Sequence, residues 1–189
     1  MQSFDRPADT DIPASPWVSR FAHLVPQSGA VLDVAAGHGR HSNFFLERGH
    51  NVTAVDIDVT GLAWLADRPG YNSLQHDLEG DGWPFEPGAF AAIVVVNYLY
   101  RPHFQNLIES LALGGVVLIE TFGLGNEALG RPRNPDFLLR PGELLEAFSD
   151  QLQIVAYECG REDQPRLAIR QRICAVKSKA PAPLSDAQA

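Results

Sequence analysis

Seven apolar residues in a row, Phe90–Val96 (FAAIVVV), constrain this chain more than any other feature. A run with no polar alternation is a strand covered on both faces, and that occurs where helices flank a parallel sheet. The surrounding pattern agrees, since short apolar strands alternate with helical stretches along most of the length. Ala30–Val34, Asn51–Asp56, a weaker Tyr71–Gln75 and Val116–Phe122 read as further strands. The spacing of Trp17, Phe21 and Leu24 predicts an opening helix over 17–24. Arg40–Arg48, closed by Gly49, and Thr60–Ala66, stopped by Pro69-Gly70, read as the next helices. Pro102–Leu113, ended by Gly114-Gly115, and Pro141–Phe148 complete the set. Leu152–Glu158 and Leu167–Lys177 leave no room for a crossover helix, so they pair antiparallel. The expectation is one α/β domain, a doubly wound seven-stranded sheet, mostly parallel with an antiparallel last strand. That domain spans 17–177, between a flexible N-terminal arm (1–16) and a disordered Ala/Pro-rich tail (178–189).

Charge and composition narrow the partners. With 15 Lys+Arg against 23 Asp+Glu, the formal net charge is −8. A field of that sign attracts neither nucleic acid nor an anionic membrane, so large polyanions are not the expected partners, a local basic pocket aside, and the expected partner is a small-molecule substrate. The longest apolar stretch, Ala89–Val96, is too short to span a bilayer, and the first residues carry acid rather than an apolar run. The chain reads as cytoplasmic. Cys159 and Cys174 have no zinc-ligand spacing and read as small buried side chains, so no metal site is expected. Oligomeric state is not legible.

VLDVAAGHGRHS, residues 31–42, follows a strand and precedes a helix, the context of a cofactor loop. Gly37 and Gly39 let the backbone turn and approach a ligand closely, although a tight turn with no ligand gives the same pair. Two carboxylates add to the signal. Asp33 lies in the first strand, and Asp56 ends the second, where an acid faces the ligand crevice and can accept both hydroxyls of a ribose. A dinucleotide would set its pyrophosphate over this loop, close to Asp33, which is unfavourable. S-adenosylmethionine carries a sulfonium and an ammonium instead, and a carboxylate attracts both. The third glycine of the dinucleotide pattern is also absent, since position 40 is Arg.

These residues resemble the class I S-adenosylmethionine-dependent methyltransferases, and most closely the small bacterial tellurite-resistance-type enzymes. The likeness rests on VLDVAAGHGRHS, AVDID, HDLEGDGWPF, FAAIVVVNYLY and GGVVLIETFGLGN in that order, over about Trp17 to Lys177. It implies a Rossmann-like fold and S-adenosylmethionine as cofactor. It also implies roles: Asp33 orients the cofactor's amino group through water, and Ala35, Gly37 and Gly39 line its methionine and ribose. Asp56 holds the ribose hydroxyls and Ile57 packs on the adenine. Asp77 accepts the adenine amino group, the Leu78 amide faces a ring nitrogen, and Asn97 offers its carbonyl to the ammonium. The chain departs from the family at Ala35-Ala36, where Gly-Cys is usual.

Methyl transfer needs alignment more than acid–base chemistry, and no catalytic residue is assigned. Tyr98, Tyr100 and Arg101 follow the fourth strand and are the substrate-binding candidates, beneath the long loop Gly123–Leu139. Packing and surface roles compete with each. Arg131, Arg133 and Arg140 are candidates for an anionic acceptor, and Arg20 for the cofactor carboxylate, each against a solvated surface role. His103 reads as a solvated residue at a helix start, and His38 and His41 lack a third metal ligand. A cofactor-binding module acting through a partner, or a nicotinamide-dependent reductase, are the competing functions.

Overall fold

A computed structural model of the chain describes residues 12–164 and 166–178. Residues 1–11 of the expected arm and 179–189 of the expected tail lie outside the described residues. The strands are β1 (Ala30–Val34), β2 (Asn51–Asp56), β3 (Tyr71–Gln75), β4 (Phe90–Val96), β5 (Leu111–Phe122), β6 (Gln153–Glu162) and β7 (Ala168–Val176). They form one sheet in the order β3-β2-β1-β4-β5-β7-β6. The pairs from β3 through to β5 are parallel, and β7 runs antiparallel to both β5 and β6. The doubly wound sheet with an antiparallel last strand is therefore the observed fold.

Alternate residues of the central strands fill two cores. On one face Ala92, Val94, Val116 and Leu118 meet Trp17, Val18 and Phe21 of α1 (Pro16–Phe21) and Phe45 of α2 (Arg40–Leu46). On the other, Ile93, Val95, Val117 and Ile119 meet Leu107 and Ile108 of α3 (Phe104–Ser110) and Leu144 and Phe148 of α4 (Glu143–Phe148). Period-two alternation with both sets buried is the physical content of the FAAIVVV run. The Trp17 indole N–H also donates to the Ile173 carbonyl (3.2 Å), tying α1 to β7.

Several boundaries differ from the sequence-based expectation. The opening helix ends at Phe21 and tightens into a 3-10 turn, Ala22–Leu24. Thr60–Leu65 is wholly 3-10, which brings Leu62 and Leu65, both buried, into line three residues apart. The helix expected over 102–113 opens as a 3-10 turn (Arg101–His103) and stops at Ser110. Lys177, at the end of β7, donates to the carbonyls of Ile108 (2.9 Å), Glu109 (3.3 Å) and Leu111 (2.8 Å). That ammonium satisfies helix-end carbonyls, and Leu111 starts β5 instead. The Gly114-Gly115 pair thus lies inside the strand, at an irregularity where a Cβ on Gly115 would sit 2.8 Å from the Ala112 carbonyl oxygen. β6 extends to Glu162 because its acids pair with arginines of β7. Cys174 is buried as expected, whereas Cys159 is exposed on β6. Among the described residues no helix is long and apolar enough to cross a membrane.

Phe45 is completely buried (0% exposed) between α2 and the sheet. Phe45→Ala should lower unfolding stability by about 3–5 kcal/mol, read from urea melts, because the lost ring leaves a cavity in the core.

Candidate active site

The strand order reverses between β1 and β4, and the loops leaving their carboxyl ends diverge there into a crevice. Gly37 and Gly39 adopt φ of +58° and +76° in the loop from β1 to α2. They serve different ends. A Cβ on Gly37 would meet nothing within 4 Å, because it would point into the crevice. A Cβ on Gly39 would lie 2.6 Å from Leu65 and 2.9 Å from Leu62, so this glycine lets the 3-10 turn pack down on α2. Ala35 (φ 52°) and Asn97 (φ 60°) border the crevice in the same left-handed region, at a backbone cost of about 1–2 kcal/mol each. Strain of that kind collects where a backbone is held for a ligand.

Asp56 is fixed from both sides. Its Oδ2 accepts the Gly37 N–H (2.8 Å) and its Oδ1 accepts the Asp58 N–H (3.1 Å). Each oxygen keeps a second lone pair toward the crevice. Beside it Ile57 is 64% exposed, an apolar side chain with no core to enter. These two, with Ala35, His76, Asp77, Leu78, Glu79 and Tyr98, line a cleft of about 380 Å³. Asp77 Oδ1 accepts the amides of Glu79 (2.9 Å) and Gly80 (3.1 Å), which shapes its own loop. The Leu78 carbonyl accepts from His103 Nε2–H at 2.6 Å. His103 is therefore buried under that loop rather than solvated, with Trp83 and Tyr100 against its ring.

A second cleft of about 440 Å³ continues past Ala35 and is lined by Ala36, Gly37, His38, Arg40, His41, Val96 and Asn97. Arg40 was not singled out by sequence. It lines this cleft and a third one beyond it, of about 400 Å³, that also contains Arg20, Arg170 and Arg172 facing Glu120, Glu158 and Glu162. Arg170 reaches Glu162 and donates to Asn97 Oδ1 (2.8 Å), while Arg172 pairs with Glu120 (3.0 Å) and Glu162. Arg20 pairs with Glu158 (3.2 Å). Arg40, by contrast, donates among the described residues to the Pro13 carbonyl (3.3 Å). No local motif flags these groups, because the cross-strand register of β5, β7 and β6 assembles them. Ser15 is drawn in too, donating through Oγ to Glu120 (2.6 Å) and through its amide to His41 Nε2 (3.2 Å). Burial pushes the His41 pKa down to about 3, so the ring is neutral and accepts that bond.

Asp33 is 2% exposed and does not line the crevice. Its Oδ2 accepts the Ser42 hydroxyl (2.7 Å), and the Ser42 amide also bonds to it. It thus satisfies a first-turn amide of α2, whose N-cap Gly39 has no side chain to do so. Burial pushes its pKa up to about 7 despite those bonds and the charge of Arg40.

The substrate candidates separate. Tyr98 lines the cleft beside Asp56 and Ile57, and its hydroxyl is buried with no well-formed hydrogen bond among the described residues. Burial first, and then the Glu79 carboxylate, push its pKa up, so it remains a neutral phenol. Tyr100 packs on His103. Arg101 is spent on Glu143 (2.5 Å) and on the carbonyls of Asp136 (2.6 Å) and Leu138 (2.8 Å), fastening the long loop. That loop is closed at its base by Leu139 N–H to the Phe122 carbonyl and Leu124 N–H to the Leu139 carbonyl, both 2.9 Å.

Residues 31–115 match a family model described as a methyltransferase domain. That match covers less than half of the chain. No curated protein matches the sequence. Solved methyltransferases share the fold over most of the chain. One S-adenosylmethionine-dependent methyltransferase, from Methanosarcina mazei, is 15% identical, with a TM-score of 0.68 over 88% of this chain and 99% of its own. TehB from Haemophilus influenzae is 19% identical, with a TM-score of 0.65 over 82% of this chain and 60% of its own. A 1,6-didemethyltoxoflavin-N1-methyltransferase from Burkholderia thailandensis is 21% identical, with a TM-score of 0.65 over 93% of this chain and 80% of its own. The resemblance drawn from the motifs, TehB-like proteins included, is borne out at the level of domain and fold.

Two glycines of the loop from β1 to α2 should respond differently to a methyl group. Gly39→Ala should cost about 2–5 kcal/mol of stability, from left-handed strain plus overpacking. Gly37→Ala should cost only the strain, about 1–2 kcal/mol, and act on ligand binding. Urea melts of both variants read the difference, and equal losses would refute the assignment. Asp33 gives a pH signature. In the unfolded chain it ionises near pH ~3.9 and in the fold near pH 7, so its contribution is full below about pH 4 and lost as pH rises to 7. Asp33→Asn removes that titration. The stability of the variant relative to the parent should therefore climb between pH 4 and 8, by on the order of 2–4 kcal/mol.

Proposed function

We propose that the protein is an S-adenosylmethionine-dependent methyltransferase acting on a small-molecule acceptor by in-line transfer. The observation that carries this reading is the pair of clefts meeting at Ala35, one lined by Asp56, Ile57 and Asp77 and the other by Gly37, Arg40 and Asn97. The remaining lone pairs of Asp56 accept the two ribose hydroxyls, and its bonds to Gly37 and Asp58 hold it ready for them. Ile57 gains a partner for its exposed surface by lying under the adenine. Asp77 turns its Oδ2 to the adenine amino group, with the Leu78 amide toward a ring nitrogen. In the second cleft the carbonyl of Asn97 faces the ammonium, and Arg40 pairs with the carboxylate in place of Arg20, which Glu158 already holds. Asp33 acts at one remove, by fixing the start of α2 beneath Arg40.

The bound cofactor supplies an electrophilic methyl group on a sulfonium. The chain's own contribution is to hold donor and acceptor in line, a placement worth roughly 7–11 kcal/mol of barrier. The B. thailandensis enzyme, whose structure contains 1,6-didemethyltoxoflavin and S-adenosylhomocysteine, supports a small-molecule acceptor on this fold. A nicotinamide dinucleotide fits less well. Its pyrophosphate needs the amides of the glycine loop, and the Gly37 amide already donates to a carboxylate. A non-catalytic module is distinguished by turnover alone.

Isothermal titration should show binding of S-adenosylhomocysteine and none of NADH. Asp56→Ala should weaken the former by about 1–3 kcal/mol, the cost of leaving polar partners unpaired. Unchanged affinity in that variant, or preference for NADH, defeats the reading.

A further inference from the structure

A fourth cavity, of about 320 Å³, opens where the two cofactor clefts come together. It shares Glu79 and Tyr98 with the adenosine cleft and Asn97 with the methionine cleft. The charged cleft around Arg170 and Arg172 shares no lining residue with the adenosine cleft, so it does not bridge the two cofactor clefts. A methyl group between adenosine and methionine therefore faces the fourth cavity. Its remaining walls are Leu99, Thr121, Phe122, Pro132 and Phe137.

This lining is selective. Phe137 is 45% exposed, held over the cavity because Arg101 clamps the carbonyls on either side of it, at Asp136 and Leu138. Phe122 offers one ring face, and the guanidinium of Arg170 lies 4.4 Å from its centroid. Aromatic walls favour a flat acceptor. No basic side chain among the described residues lines the cavity, and Arg131 and Arg133 flank Pro132 without entering the lining. Its one carboxylate, Glu79, lies beside the buried Tyr98 hydroxyl that lacks a well-formed partner. An oxyanion or a thiolate would meet that negative charge, and the nearby Arg170 guanidinium is already held by Glu120, Glu162 and Asn97.

Resting on the methyltransferase reading, we infer that the acceptor is a flat, uncharged ring bearing an N–H or O–H. It lies between Tyr98, Phe122 and Phe137, and Glu79 takes its proton. A lone pair on the acceptor nitrogen or oxygen forms the new bond to the methyl carbon. The carbon–sulfur bond breaks with its electron pair left on sulfur, which becomes a neutral thioether. The acceptor's proton passes to the Glu79 carboxylate and on to water, so charge and atoms balance. The Tyr98 hydroxyl donates to a second heteroatom of the ring, which gives the buried group its partner.

The test uses full-length protein saturated with S-adenosylhomocysteine and titrated with lumazine, benzimidazole, 2-naphthol, tellurite and benzenethiolate. Binding of at least one of the flat neutral compounds is expected, without binding of the two anions. Phe137→Ala should weaken that binding about tenfold and leave S-adenosylhomocysteine affinity unchanged. With the methyl donor, Glu79→Gln should lower kcat at least about 100-fold while KM stays within about threefold. Failure of S-adenosylhomocysteine to bind at all would sink the methyltransferase reading itself. Normal cofactor binding with tellurite or benzenethiolate as the preferred ligand, with no flat compound bound, or with an unaltered Glu79→Gln kcat, overturns only the acceptor assignment.

Discussion

Two-sided burial of the central strands is the constraint on which the rest of the molecule depends. Val94 and Leu118 on one face, and Ile93 and Val117 on the other, are all inaccessible to water. A sheet with two such faces needs a helical layer on each, and right-handed crossovers then place the loops at the carboxyl ends of the parallel strands. The crevice between β1 and β4 is where loops are carried to opposite faces. The clefts lined by Ala35, Asp56 and Asn97 lie at that gap.

The loops there are held by polar contacts between sequence-distant groups. Asp56 joins the end of β2 to the loop after β1 through the Gly37 amide. Asp33 satisfies α2 from beneath, and His103 holds the loop around Leu78 from the far side of β4. The crevice is thus preorganised by carboxylates and a buried histidine, most of whose partners are backbone groups. Left-handed backbone at Ala35 and Asn97 is sustained by that scaffold.

Placement of Tyr98, Phe122 and Phe137 around one cavity is a consequence of where the long loop is anchored. Arg101 is the anchor. Its guanidinium meets Glu143 at the start of α4 and two loop carbonyls at once. Burial opposes ionisation of Glu143, but the bonds from Arg101 and Arg140 outweigh it and hold the carboxyl below its ordinary range. A charge pair with few exposed donors is an effective fastener for a loop that has little apolar surface of its own.

Strand identity, sheet type and the glycine turn after β1 were legible in the sequence, because each depends on periodicity or backbone freedom within a few residues. FAAIVVV requires two covered faces wherever it sits, and Gly37 and Gly39 permit a left-handed turn in any context. The helix end at Ser110, the buried roles of Asp33 and His103, and the capture of Arg101 by Glu143 were not legible. Lys177, Ser42, the Leu78 carbonyl and Glu143 are distant partners or have no local signature, so folding alone selects them. The ionic cleft of Glu120, Arg170 and Arg172 shows the division most clearly. Each residue reads by itself as a surface charge, and only the antiparallel register of β7 between β5 and β6 brings them within hydrogen-bonding distance.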